Sequence, residues 1–119
     1  MKYSKAGVFQ WGRAVGAAQA CFGSNCGVYF NNVVIDSQQR VVVGGNQIGD
    51  VNYGGLHQGV GNWDVVVSRW RSNGDHDWYA TTGSVGDDRV QALGLNPDDR
   101  PLIGGWISAA IQFGSYTLS

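Results

Sequence analysis

The stretch VVIDSQQRVVVGG (Val33–Gly45) comes back 60 positions later as LGLNPDDRPLIGG (Leu93–Gly105), and no gap is needed to align the two. Apolar residues coincide at Val33 and Leu93, Ile35 and Leu95, Val42 and Leu102, and Val43 and Ile103. Arg40 coincides with Arg100, and Gly44-Gly45 with Gly104-Gly105. An internal repeat governs everything else in a chain of 119 residues, because each copy must be a supersecondary unit that buries its surface on its neighbours. A second block extends the first: Lys2–Gly16 aligns without a gap on Arg69–Gly83, with Gly7 on Gly74, Trp11 on Trp78 and Gly16 on Gly83. A third short match, Asn52–Gly54 on Gln112–Gly114, lies downstream. The offset is 67 in the N-terminal block and 60 afterwards, so the first copy carries seven extra residues between Gly16 and Val33. The only two cysteines, Cys21 and Cys26, lie in that insertion.

Short runs rich in Val and aromatics, bounded by Gly, Asn, Asp and Ser, read as strands. In the first copy, strand a is Asn32–Asp36 and strand b is Arg40–Gly45. A long Gly-rich connection, Asn46–Asn62, leads to strand c, Asp64–Arg71, and the turn SNGD leads to strand d, His76–Thr82. In the second copy VQALGLN is strand a and RPLIGGW is strand b, with Pro101 early in the strand, where a missing N–H is tolerated. The sequence then reaches Ser119 before any strand c. The matching strand d is at the other terminus, Val8–Val15, behind a stub of strand c, Lys2–Ser4. Only AVGAAQACF (Ala14–Phe22) has the propensity for a short helix. The expected fold class is all-β.

Four antiparallel strands per unit, with tight turns and one long loop, is the pattern of a β-propeller blade. The stretches FGSYTLS and NYGGLHQGVGNWDVVVSRWRSNGDHDWYATTGSVGDDRVQALGLNPDDRPLIGG carry an aromatic-Gly-Gly loop and a D-V-V-V-x-R strand. An aromatic strand around Trp78, a G-x-x-G-D-D loop and a paired apolar strand follow. This order resembles the bacterial SBBP-type β-propeller repeats and, more distantly, NHL repeats. The chain departs from that pattern at Pro97 and Pro101 in the second a–b turn, in the cysteine insertion, and in the truncated first strand c. The expected organisation is one domain over residues 1–119 with two blade-like repeats. The first spans about 32–82, and the second is shared by 2–16 and 90–114.

Closed propellers have about four to eight blades, so two repeats do not close a ring. Three explanations stand: a piece of a longer propeller, head-to-tail assembly of several copies, or a compact sandwich that only resembles blades. The permuted strands favour the second. A blade whose strand d is N-terminal and whose strands a and b are C-terminal can be shared between neighbouring copies. That sharing removes free sheet edges. The expectation is a cyclic homo-oligomer, with a trimer of six blades favoured over a tetramer of eight.

A net charge of −1, from 8 basic and 9 acidic residues, provides no basic surplus to attract nucleic acid or an anionic membrane. No apolar run is long enough for a membrane-spanning helix, and MKYSKAGVFQWG has no apolar core of a signal peptide. A Cys21–Cys26 bridge across so short a loop is worth roughly 2 kcal/mol in the chain-entropy model and suits an extracellular or cell-envelope protein. Two reduced thiols in a cytoplasmic protein are the alternative.

In a four-stranded blade the d–a and b–c loops emerge on one side. The long loops therefore gather there: Gly83–Arg89, the cysteine insertion, and Asn46–Asn62. Long loops on a rigid scaffold are the usual place for binding. The candidate ligand-binding residues are Asp50, His57, Trp63, Asp87, Asp88 and Trp106. Trp63 and Trp106 lack an aromatic counterpart in the other copy, whereas Trp11, Trp70 and Trp78 belong to repeated strand positions and read as packing residues. Asp87 and Asp88 make a poor acid dyad, because adjacent residues on a strand point to opposite faces. Such residues commonly take loop N–H groups instead. DSQQR and NPDDR lack the calcium-loop pattern, the two histidines are not spaced as metal ligands, and there is neither a nucleophile elbow nor a phosphate loop. No metal and no cofactor is expected. The function expected is a non-catalytic interaction or scaffold module binding a protein or glycan. The alternative is an enzyme acting on a polysaccharide, with an acidic channel site built from Asp50, Asp87 and Asp88.

Overall fold

In the computed structural model, which describes residues 1–17, 26–52, 55–113 and 116–118, every regular element is a β-strand. The first seven are β1 (Lys2–Tyr3), β2 (Phe9–Trp11), β3 (Gly16–Ala17), β4 (Gly27–Ile35), β5 (Val41–Ile48), β6 (Val51–Asn52) and β7 (Leu56–His57). The other six are β8 (Asp64–Trp70), β9 (His76–Thr82), β10 (Arg89–Leu95), β11 (Pro101–Trp106), β12 (Ile111–Phe113) and β13 (Tyr116–Leu118). The chain is all-β, and among the described residues the strands close no barrel or ring. Gly16 and Ala17, inside the segment with helical propensity, pair with β6 as a strand, and residues 18–22 lie outside the described residues.

One antiparallel sheet of four strands, in the order β4-β5-β8-β9, forms the centre. Its inner strands carry the continuous apolar runs RVVVGG and DVVVSRW because both of their faces are covered. Val42 and Val66 are wholly buried, with Val41, Val65, Val67 and Trp70 nearly so. The outer strand β4 instead alternates between exposed and half-buried. It starts five residues earlier than the pattern of apolar residues suggested, at Gly27, and β5 runs on to Ile48. The Asn46–Asn62 connection is therefore shorter than expected and contains the small β6–β7 hairpin.

The repeat is reproduced residue by residue in the backbone. In β4–β5, Phe30 faces Gly45, Asn32 faces Gly44, and Asn31 is squeezed out as a bulge. In β10–β11, Val90 faces Gly105, Ala92 faces Gly104, and Gln91 is the bulge. The a–b turns match as well. Asp36 Oδ1 accepts the amides of Gln38 and Arg40, and Asn96 Oδ1 accepts those of Asp98 and Arg100. Gln39 and Asp99 occupy the same left-handed position, with φ of 62° and 61°. At the other offset, Lys2 faces Trp11 as Arg69 faces Trp78, and Gly7 and Gly74 take the left-handed corner with φ of 77° and 88°. All four turns are the short hairpin loop that puts a left-handed residue after its first bend.

The two partial hairpins lie on opposite sides of the central sheet, and of the two only β10–β11 covers its face. β10 lies across β4, β5 and β8, with Leu93 and Val90 directly over Gly44. On the other side the β1–β2 hairpin is tied down by Trp11, whose indole N–H donates to the Ser72 carbonyl at 2.9 Å, and by Lys2, which donates to the Gln39 carbonyl at 3.3 Å. A cleft of about 350 Å³ remains there, between Trp11 and the face presenting Phe30, Val33, Val43 and Trp70. Trp11 and Trp78 are half-buried, and Trp70 alone of the three repeated tryptophans is enclosed.

Candidate functional site

Two loops are sewn together at one end of the central sheet. Trp63 and Asp87 form a parallel bridge, the Asn62 amide donates to the Gly86 carbonyl at 3.1 Å, and the Asp88 amide donates to the Trp63 carbonyl at 2.7 Å. Buried carboxylates organise the junction. Asp88 accepts the Ser84 amide and hydroxyl and the Ser108 amide, at 2.5, 3.1 and 2.9 Å. Asp64 accepts the Val60 amide at 2.8 Å, and the Asn46 amide group donates to the Asp88 carbonyl at 2.7 Å. Burial pushes the Asp64 carboxyl above its ordinary pKa. The Val60 and Gly61 amides oppose that rise, and the nearby Asp88 charge adds to it. Its second oxygen is buried without a hydrogen-bond partner. These groups hold loops whose amides no strand ladder satisfies, the usual duty of a buried polar side chain.

Outside this seam an aromatic and cationic cluster faces outward. The Trp63 ring lies 5.1 Å from that of Tyr29 at 60°, and the Arg89 guanidinium stands 4.3 Å from the Trp63 ring centre. Arg89 also reaches Asp87 at 3.5 Å. Trp106 is the cross-strand partner of Arg89 and is 45% exposed, and side chains directly opposite on paired strands share a face. A guanidinium over a half-buried indole near the surface is worth roughly 0.5–1 kcal/mol, and the exposed Tyr29 and Trp106 leave one side of the cluster open.

The predicted residues thus part company. Trp63, Asp87 and Trp106 are brought together, with Arg89 as the link. Asp88 is fully buried, so its carboxylate offers nothing to a surface ligand. It serves the loop instead, because three donors converge on it. Asp50 and His57 belong to the b–c connection. Asp50 accepts the Gly59 amide at 3.1 Å, and the His57 ring lies 4.2 Å from that of Tyr79. The Tyr79 hydroxyl donates to Gln47 at 2.9 Å, and burial pushes its phenol pKa up. Gln47 in turn donates to the carbonyls of Gly49 and His57.

Tyr29, Arg89 and Asp64 were not legible as site residues. Arg89 follows the Asp pair in the chain, and Asp64 is a lone charge at the mouth of an apolar strand; both are weak signals. Tyr29 has none. Cys26 stands just before β4, and Cys21 lies outside the described residues, so their pairing stays a proposal. Among the described residues no three His, Cys, Asp or Glu side chains gather as a metal set, and no helix is long and apolar enough to cross a membrane. Compared with protein-family models, curated proteins and solved structures, the chain matches none.

Proposed function

We propose that this chain is a non-catalytic interaction module of the β-propeller repeat type, binding a protein or glycan through the side where its long loops meet. The carrying observation is the open cluster of Trp63, Arg89 and Trp106 beside Tyr29. An indole face stacks on a sugar ring or an apolar side chain. A guanidinium at its edge donates in a fixed fork to hydroxyls, carbonyls or carboxylates. The propeller part of the reading rests on the four-stranded antiparallel sheet, on hairpin registers that recur in the flanking partial sheets, and on the resemblance to SBBP-type repeats. Assembly into a homo-oligomer and an extracellular or cell-envelope location, with Cys21 and Cys26 bridged, belong to the same reading. The enclosure of Asp88 and the engagement of Asp87 with Arg89 favour binding over acid–base chemistry at an acidic channel.

Titration with neutral and uronic-acid oligosaccharides, followed by tryptophan fluorescence, tests this, with Trp106→Ala beside the parent chain. Saturable quenching that the substitution weakens about tenfold, equivalent to roughly 1.4 kcal/mol, supports the site. Binding indifferent to Trp106→Ala, or cleavage of the oligosaccharides, would reject it.

A further inference from the structure

We infer that the two partial hairpins are halves of one sheet shared between copies, with β11 of one copy pairing antiparallel with β1 of the next. The register places Pro101 opposite Tyr3, Leu102 opposite Lys2 and Ile103 opposite Met1. The inference rests on the propeller reading above and names its partner, a second copy of this chain.

The central sheet is the template. There β5 pairs with β8 as Val41 to Trp70, Val42 to Arg69 and Val43 to Ser68. Shifting the first strand by 60 and the second by 67, the offsets obeyed by every hairpin register above, yields the three pairs just named. Among the described residues β10–β11 pairs with no third or fourth strand, and β1–β2 matches a third and fourth strand without the first two. Each chain carries both halves, so the contact is head to tail and a ring satisfies it without leftovers.

Equivalent positions differ in burial as a missing strand requires. Val42 is 0% exposed in the complete sheet, and its equivalent Leu102 is 58% exposed; Trp70 is 4% exposed, and its equivalent Tyr3 is 54%. Three further seats are ready. Gly44 is covered by Leu93 and Val90 of the following hairpin. By the same operation Val33 and Phe30 of one copy cover Gly104 of another, and Leu102 enters the cleft beside Val33. Gly74 is covered by the Trp11 ring, whereas the equivalent Gly7 has nothing near it. Trp78 of the neighbouring copy belongs there, donating to the Lys5 carbonyl as Trp11 donates to Ser72. Two blades per chain and four to eight per ring allow two to four copies, and the trimer of six lies in the middle.

Sedimentation of the full chain at micromolar concentration, with circular dichroism, tests this against Leu102→Asp and Val33→Asp. Both side chains are exposed in the single chain, so both variants keep the parent's β signal. The expected result is an oligomer of two to four copies for the parent and association weaker by about thirtyfold or more for each variant, the scale of a central contact. A benzophenone amino acid at position 102 should crosslink to peptides holding Tyr3 or Val33 of another copy. A parent that sediments as a monomer overturns the inference, as does an oligomer indifferent to both variants. Neither result bears on the oligosaccharide titration, which reads the loop face separately.

Discussion

Gly45→Ala should be among the most damaging methyl additions in this chain. The bulge at Asn31 drives the backbone of β4 into β5, so a Cβ on Gly45 would overlap the Tyr29 carbonyl and lie 2.8 Å from the Phe30 Cα. Neither obstacle is a side chain that can turn away. Relief means parting β4 from β5 at the bulge, where Tyr29 and Phe30 face Asn46 and Gly45. Overpacking costs about 1–3 kcal/mol, and one or two ladder hydrogen bonds add about 0.5–1.5 kcal/mol each. The less flexible unfolded chain returns about 0.4–1 kcal/mol. The net loss is roughly 3 kcal/mol from a total on the order of 5–15 kcal/mol. With a urea slope of about 1–3 kcal/mol per molar, the midpoint drops by roughly 1–3 M. Gly105→Ala repeats the overlap, against the Arg89 carbonyl. Gly94→Ala is the control: nothing lies within 4 Å of its Cβ, and it should be neutral or stabilise by up to about 1 kcal/mol. Urea titrations at one protein concentration measure all three, since assembly would make stability concentration-dependent. A Gly45→Ala midpoint close to that of Gly94→Ala would refute the close approach and, with it, the physical reason that glycine recurs at positions 45 and 105.

Two more outcomes follow from the same chemistry. Burial pushes the Asp36 carboxyl up, but the Arg40 amide and guanidinium and the Gln38 amide outweigh it, leaving the folded pKa below the ordinary 3.8. The stability it contributes is complete above the unfolded value and is lost as pH falls through the lowered folded value. Asp36→Asn, which copies the equivalent Asn96, should therefore cost roughly 1–2 kcal/mol at neutral pH, with the gap narrowing in urea titrations near pH 3; a gap of constant size would show that charge plays no part. Cys21 and Cys26 should yield no free thiol after folding under oxidising conditions and unfolding in denaturant, and two reactive thiols would reject the bridge.

Much of the fold was legible because its cues are local. Asp36 and Asn96 read as turn residues since each accepts its own backbone amides two and four positions on. The second glycine of each pair, Gly45 and Gly105, stands out because a strand pressed against a bulge has no room there for a side chain. A continuous Val run marks a strand covered on both faces, which is why β5 and β8 were found and the alternating start of β4 was missed. The site was only half legible. Trp106 stands where the other copy has Asn46 and so betrays a role outside the repeat. No sequence pattern places Tyr29 and Arg89 beside Trp63, because three separate segments meet there. The fate of the acids was likewise decided in three dimensions. Asp87 and Asp88 are neighbours of the same type, yet one lies beside Arg89 at the surface and the other is sealed beneath the loops. Which is which depends on where Ser84 and Ser108 bring their donors, and only the folded chain fixes that.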